Sequence, residues 1–170
     1  MNTTGRSIAL IGFMGAGKSA VGRGLAAHVK LERYDTDEMI RKRFGSSIPE
    51  IFARHGEQAF RDAETDVLRS LANAAAKIIV TGGGIVLRDE NVRLLRALAM
   101  TIWLDADEEI LWQRASRRGN RPLLQTDNPR QRFSVLLQER LPLYQATADH
   151  RIDTSRASLA DVVGEVSKLL

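Results

Sequence analysis

The sequence predicts an α/β fold, a three-layer α/β/α sandwich built on a five-stranded parallel sheet. Three observations predict it. Short apolar runs rich in β-branched residues recur along the chain, "KIIVT" (77–81) and "MTIWL" (100–104) being the clearest; strands covered on both faces have that composition. Helical stretches separate these runs, and strand–helix alternation is the pattern of a parallel sheet with helices on both sides. A glycine-rich loop joins the first run to the first helix.

The first strand is 8–11, within "SIALI", a short apolar run. The loop that follows, "GFMGAGKS" (12–19), has the spacing G-x-x-x-x-G-K-S. Glycines let a backbone curl with its N–H groups inward, and the next helix adds its partial positive charge. Such a loop holds a nucleoside triphosphate: Gly15, Ala16, Gly17, Lys18, Ser19 and Ala20 are the candidate contacts. Lys18 is placed to reach the β- and γ-phosphates, and the Ser19 hydroxyl to ligate Mg²⁺. A helix over 17–30 follows, with Val21, Leu25, Ala26 and Val29 at helical spacing.

The second strand, 33–35, runs into "YDTDE" and a helix over 37–44. Asp35 and Asp37 have two readings. One carboxylate can orient Mg²⁺ through water while the other accepts the proton of an attacking hydroxyl. Alternatively both belong to a capped helix start. About forty residues then precede the third strand, more than a crossover helix requires. In "SIPEIFARHGEQAFRDAE", Ile48, Ile51, Phe52 and Phe60 can wall a pocket, and Arg61 and Glu64 are one helical turn apart. A guanidinium so fixed is suited to a bidentate grip on a carboxylate; spacing alone equally describes core aromatics and a surface ion pair. A helix is expected over 57–75.

The third strand, 77–81, ends in "TGGG". Gly82–Gly84 permit close approach of a ligand and offer backbone donors. No acid stands at this strand end, so a metal-supporting carboxylate falls to Asp35. Helices over 89–98, 107–118, 129–146 and 158–170 and strands over 100–104 and 150–153 complete the alternation. Between Trp112 and Phe133 lie six arginines and a single acid. Gly119, Asn120 and Pro122 make 115–128 a loop, and Arg121 is the residue chosen to close over a triphosphate. Arg140 is read as lying near a helix end, before Pro142, where a cation also suits the helix dipole.

Whole-chain properties bound the alternatives. At 170 residues the chain is expected to form one domain, 1–170, with a substrate insertion at about 36–64 and a mobile lid at about 115–128. There is no cysteine, which excludes disulfides and thiolate chemistry and is compatible with the cytoplasm. No apolar run is long enough to span a bilayer, and no export signal is seen. The net charge of +4 is concentrated in the arginine-rich segment without interleaved aromatics, so neither nucleic acid nor membrane is an expected partner. The three histidines show no metal spacing.

Taken together, "GFMGAGKS", "DTD" (35–37), "IF…GE..FR..E" (51–64), "TGGG" (81–84), "NRPLL" (120–124), "R.PLY" (140–144) and "IDT" (152–154) resemble the shikimate kinase family. The phosphate loop is generic; the FR..E, TGGG and RPLL set is specific. The resemblance implies strand order 2-3-1-4-5 and transfer of the γ-phosphate of ATP to the 3-hydroxyl of shikimate, in aromatic amino-acid biosynthesis. It implies that Asp37, Arg61, Gly83, Gly84 and Arg140 hold shikimate, with Asp37 also catalytic. Asp35 would support Mg²⁺ beside Ser19, and Lys18 and Arg121 would stabilise the transferring phosphoryl group. Arg114 and Arg156 fall near positions flanking the adenine. The expected enzyme is a cytoplasmic monomer. A sugar-acid kinase such as gluconate kinase and a non-catalytic nucleotide switch are the competing readings.

Overall fold

The computed structural model describes residues 7–72, 75–117 and 121–170. Its elements run β1 (Ile8–Ile11), α1 (Lys18–Val29), β2 (Glu32–Asp35), α2 (Thr36–Phe44), α3 (Ile48–Ser70), β3 (Lys77–Val80), α4 (Asp89–Leu98), β4 (Met100–Asp105), α5 (Glu108–Ser116), α6 (Pro129–Thr147), β5 (His150–Asp153) and α7 (Leu159–Ser167). Short 3₁₀ turns occupy Ile85–Leu87 and Pro122–Leu124. The sheet order is β2-β3-β1-β4-β5 and every pairing is parallel. Both the architecture and the order are those expected.

The apolar runs explain the sheet's centre. Every residue of β1, β3 and β4 is buried, as strands covered by helices on both faces must be. Leu10 is level with Val80 on one side and Ile102 on the other. This register brings the carboxyl ends of the strands to one edge, where ligands of open α/β sheets bind. A smaller apolar cluster, Ile40, Ile51, Phe60, Ala63 and Val67, joins α2 to α3. It anchors the insertion beside that edge. Among the described residues no helix is long and apolar enough to cross a membrane.

The structure differs from expectation in three places. A helix does resume after Gly56, as expected from residue 57, but a further helical stretch that was not expected precedes it, so α3 as a whole runs from Ile48. Ser47 caps it reciprocally with Glu50, Pro49 lies in its first turn, and Gly56 kinks it at φ 80°, ψ 169°. The S-x-x-E spacing at 47–50 carried that signal. Secondly, α6 runs Pro129–Thr147, close to the expected 129–146, and Arg140 lies well inside it rather than near its end. Proline costs a helix one hydrogen bond and some crowding, which the burial of Tyr144 and Thr147 in the last turns offsets. Thirdly, Arg61 and Glu64 are no surface pair: both are buried. Of the arginine-rich loop, Arg118, Gly119 and Asn120 lie outside the described residues.

Candidate active site

The loop after β1 wraps into the first turn of α1. Gly15 has φ 87°, and a Cβ there would lie 2.3 Å from the Leu111 carbonyl oxygen, so no side chain is tolerated. Gly17 is the N-cap of α1 and supplies no capping side chain. The first N–H groups of the helix therefore lack a side-chain acceptor, an arrangement ready for an anion. Lys18 is buried, its Nζ donating to the carbonyls of Gly12 at 2.7 Å and Phe13 at 3.0 Å. Burial pushes its pKa down from 10.5 to about 8. Gly15, Gly17, Lys18, Ser19, Thr81, Arg114 and Arg117 line a cavity of about 390 Å³ around this loop. Ala16 is buried in the core, and neither it nor Ala20 lines the cavity.

A second cavity of about 300 Å³ opens beside it, between the insertion and the glycine turn after β3. Ile48, Phe52 and Phe60 form its apolar wall; Arg41, Arg61, Glu64, Gly84 and Arg140 face them. Arg61 donates to Glu64 at 2.6 Å and to Glu57 at 3.0 Å. A Cβ on Gly84 would sit 2.2 Å from Arg61 Nη1, so glycine is what lets the guanidinium lie there. Arg140 is 4% exposed and packs over the Phe13 ring. One turn later, the Tyr144 hydroxyl donates to the carbonyl of Gly83; burial raises its pKa, so it stays a donor at working pH.

Asp37 Oδ1, Glu64 Oε1 and Arg140 Nε, buried polar atoms of residues lining this second cavity, have no hydrogen-bond partner among the described residues. Buried orphans are rare, and three around one cavity mark a place where a polar ligand completes the structure. The two cavities share Met14, Asp37, Gly82, Gly83 and Arg121. Asp37 therefore stands on the wall between the phosphate loop and the arginine-lined cavity. Burial raises its pKa, Asp35 adding to the rise while Lys18, Arg41 and Arg61 oppose it.

Asp35 follows the capping reading. Its Oδ1 accepts from the N–H groups of Asp37 and Glu38, and Arg33 pairs with its Oδ2 at 3.2 Å. Arg114 is tethered to the Thr154 hydroxyl and carbonyl at 3.0 and 2.8 Å. Arg156 is exposed and lines a separate depression with Asp107, Asp153 and Ser155, so the structure does not gather it with the phosphate loop. Met14, Arg41, Arg117 and Tyr144 line or brace the site without having been singled out. Helical spacing pointed to two of them, since Arg41 lies four residues after Asp37 and Tyr144 four after Arg140.

The depressed pKa of Lys18 makes a prediction. Polyphosphate against Nζ restores its proton affinity, so nucleotide binding near pH 8.5 takes up roughly 0.7 proton, and little at pH 7. Calorimetry of ADP binding in buffers of different ionisation enthalpy reads this uptake directly. Lys18→Arg, charged throughout, abolishes it. Buffer-independent enthalpies at pH 8.5 in the wild-type protein would refute the assignment.

Comparison with known proteins follows the same lines. The family model described as shikimate kinase matches residues 14–170. The chain is 41% identical to a shikimate kinase of Thermodesulfovibrio yellowstonii, over 96% of this chain and 94% of that one. It is 44% identical to one of Thioalkalivibrio sulfidiphilus, over 95% and 85%. The structure of an Acinetobacter baumannii shikimate kinase in complex with shikimate superimposes with a TM-score of 0.92 at 38% identity, covering 96% of this chain and 92% of that one.

Proposed function

The chain belongs to the shikimate kinase family, and from that premise we propose that it transfers the γ-phosphoryl group of ATP to the 3-hydroxyl of shikimate. The products are shikimate 3-phosphate and ADP, and the reaction is a step of aromatic amino-acid biosynthesis. One observation carries the reading. A phosphate-loop cavity and an arginine-lined cavity meet at a common wall that holds Asp37 and Arg121, where a donor phosphate and an acceptor hydroxyl would come together.

The roles follow from position. The loop residues Gly15–Ser19 and the open N-terminus of α1 hold the triphosphate, with Lys18 leaving the loop carbonyls for the β- and γ-phosphates. Arg61 and Arg140 grip the acceptor carboxylate, and the turn at Gly83 and Gly84 lets the ring approach the backbone. Asp37, whose carboxylate burial makes more basic, would take a hydrogen bond from the 3-hydroxyl and receive its proton. Arg121 touches both cavities and neutralises charge on the phosphoryl group in flight. Residues 36–64 serve as the acceptor-binding insertion and 115–128 as the lid. Arg114, which lines the phosphate-loop cavity, would flank the nucleoside.

Magnesium fits this donor set as a phosphate-borne ion. Among the described residues no group of three or more acids and histidines gathers to hold a metal, and Mg²⁺ commonly takes few protein ligands beside phosphates and water. Ser19 lines the phosphate cavity and would ligate it directly. Asp35, with both oxygens committed to Arg33 and the α2 amides, would act through water. When bound, the ion supplies charge neutralisation on the β- and γ-phosphates. Action as a monomer in the cytoplasm belongs with this reading.

The test is a coupled ADP-release assay with ATP and Mg²⁺. ADP release that requires shikimate, with phosphate found on the 3-hydroxyl, is expected. A nucleotide switch would show slow release indifferent to shikimate, and that result would overturn the proposal.

A further inference from the structure

Four arginines line the acceptor cavity against two acids, and three of the four have assigned work. Arg61 is bound to Glu64 and Glu57, Arg140 is buried beside Phe13, and Arg121 reaches into the phosphate cavity. Arg41 differs. It is exposed on the last turn of α2, it lines the cavity, and its guanidinium makes no hydrogen bond or ion pair among the described residues. One turn earlier on the same helix stands Asp37.

The plain alternative is a helix-end cation: Arg41, Lys42 and Arg43 all lie in the last turn of α2, where positive charge offsets the dipole. Position separates the three. Arg43 is committed to Asp66 at 3.0 Å. Lys42 is exposed and does not line the cavity. Only Arg41 combines an uncommitted guanidinium with a place on the cavity rim.

We propose that Arg41 is a specificity-determining residue for anionic acceptors, an exposed guanidinium at the rim that draws the carboxylate of shikimate toward Arg61 and Arg140. This rests on the acceptor assignment above and adds a residue to it. The contact is exposed, so it is solvent-screened and salt-sensitive. It does not touch the migrating phosphoryl group, so it acts on ground state and transition state alike. Such uniform binding raises KM when lost and by itself leaves kcat unchanged.

The experiment compares Arg41→Gln with Lys42→Gln, which removes the same charge from the adjacent position on the same helix. Both are assayed for shikimate phosphorylation at low and high ionic strength. Arg41→Gln is expected to raise KM for shikimate about five- to tenfold at low salt, with KM for ATP unchanged and any change in kcat, through the charge Arg41 exerts on Asp37, smaller than the change in KM. The difference should shrink toward unity near 0.5 M salt, and Lys42→Gln should stay close to wild type. With a neutral shikimate amide as acceptor, Arg41→Gln and wild type should converge. An unchanged KM for Arg41→Gln, or an equal rise in Lys42→Gln, would overturn the inference while leaving the acceptor assignment standing. A wild-type protein that does not phosphorylate shikimate at all would instead remove the assignment on which it rests.

Discussion

Replacing Lys18 with Ala is expected to lower kcat by at least about 10²–10³-fold, the cost of removing one positioned charge from a water-excluded site. The fold should survive, and its stability should move the other way. In the ligand-free protein the ammonium is buried and hydrogen-bonded to two loop carbonyls, and the nearby Asp37 and Asp35 only partly offset the cost of that burial. A pKa moved from 10.5 to about 8 corresponds to a folding penalty of roughly 3 kcal/mol on the charged form. The sign follows from linkage: between pH 8 and 10.5 the unfolded chain still binds the proton that the folded chain has released. Stability of the wild-type protein therefore rises with pH through that window, and the penalty is present in full below it. Lys18→Met keeps the stem's volume while removing the charge. At pH 7 it should melt at or above the wild-type temperature, and the two melting curves should approach each other toward pH 10. A variant that keeps near-wild-type kcat, or that melts well below wild type at pH 7, would contradict this account of Lys18. The loop thus trades stability for catalysis, as a preorganised charged site does.

The parts of this site that could be read from sequence are those that local chemistry dictates. The phosphate loop was legible because its glycines answer to backbone geometry, as Gly15 shows against the Leu111 carbonyl. The strands were legible because burial on both faces leaves nearly uninterrupted apolar runs such as "MTIWL". The start of α3 was present in the S-x-x-E spacing at 47–50, but the kink at Gly56 divides the helical pattern. Arg61 and Glu64 show the limit of spacing. The same three-residue interval describes a solvated pair and a buried one, and the difference lies in what packs over it: Gly84 from the third strand end and Phe60 beside it. Pro142 did not end the helix expected over 129–146, since a helix tolerates proline when its later turns are buried, but it suggested a false end beside Arg140. Strand order depends on crossovers between distant segments, so it came from family likeness rather than from any local pattern.

Arg61→Lys is expected to weaken shikimate binding by about 2–3 kcal/mol, or some 30- to 150-fold in KM, although the charge is retained. The reason is shape. Arg61 already satisfies Glu64 at 2.6 Å and Glu57 at 3.0 Å while its guanidinium packs against Gly84. A planar fork has donors left for a ligand carboxylate; an ammonium that reaches Glu64 does not hold two parallel bonds to a second carboxylate. Lysine is the right substitution because alanine confounds the test. Glu64 is fully buried, and without a cation its charge stands uncompensated, at a cost of about 3–5 kcal/mol in stability. Acceptor chemistry then separates binding from damage. An acceptor whose carboxylate is replaced by a neutral group should bind far more weakly to wild type and lose little more in Arg61→Lys. Gluconate offers a carboxylate and hydroxyls too, but its open chain must surrender more conformational freedom in a cavity walled by Phe52 and Phe60. Side by side, with the same ATP and Mg²⁺, shikimate should be phosphorylated readily and gluconate little. The opposite preference would overturn the acceptor assignment and leave the phosphate loop untouched. Equal losses for charged and neutral acceptors would show that Arg61 holds the cavity's shape rather than the substrate's carboxylate.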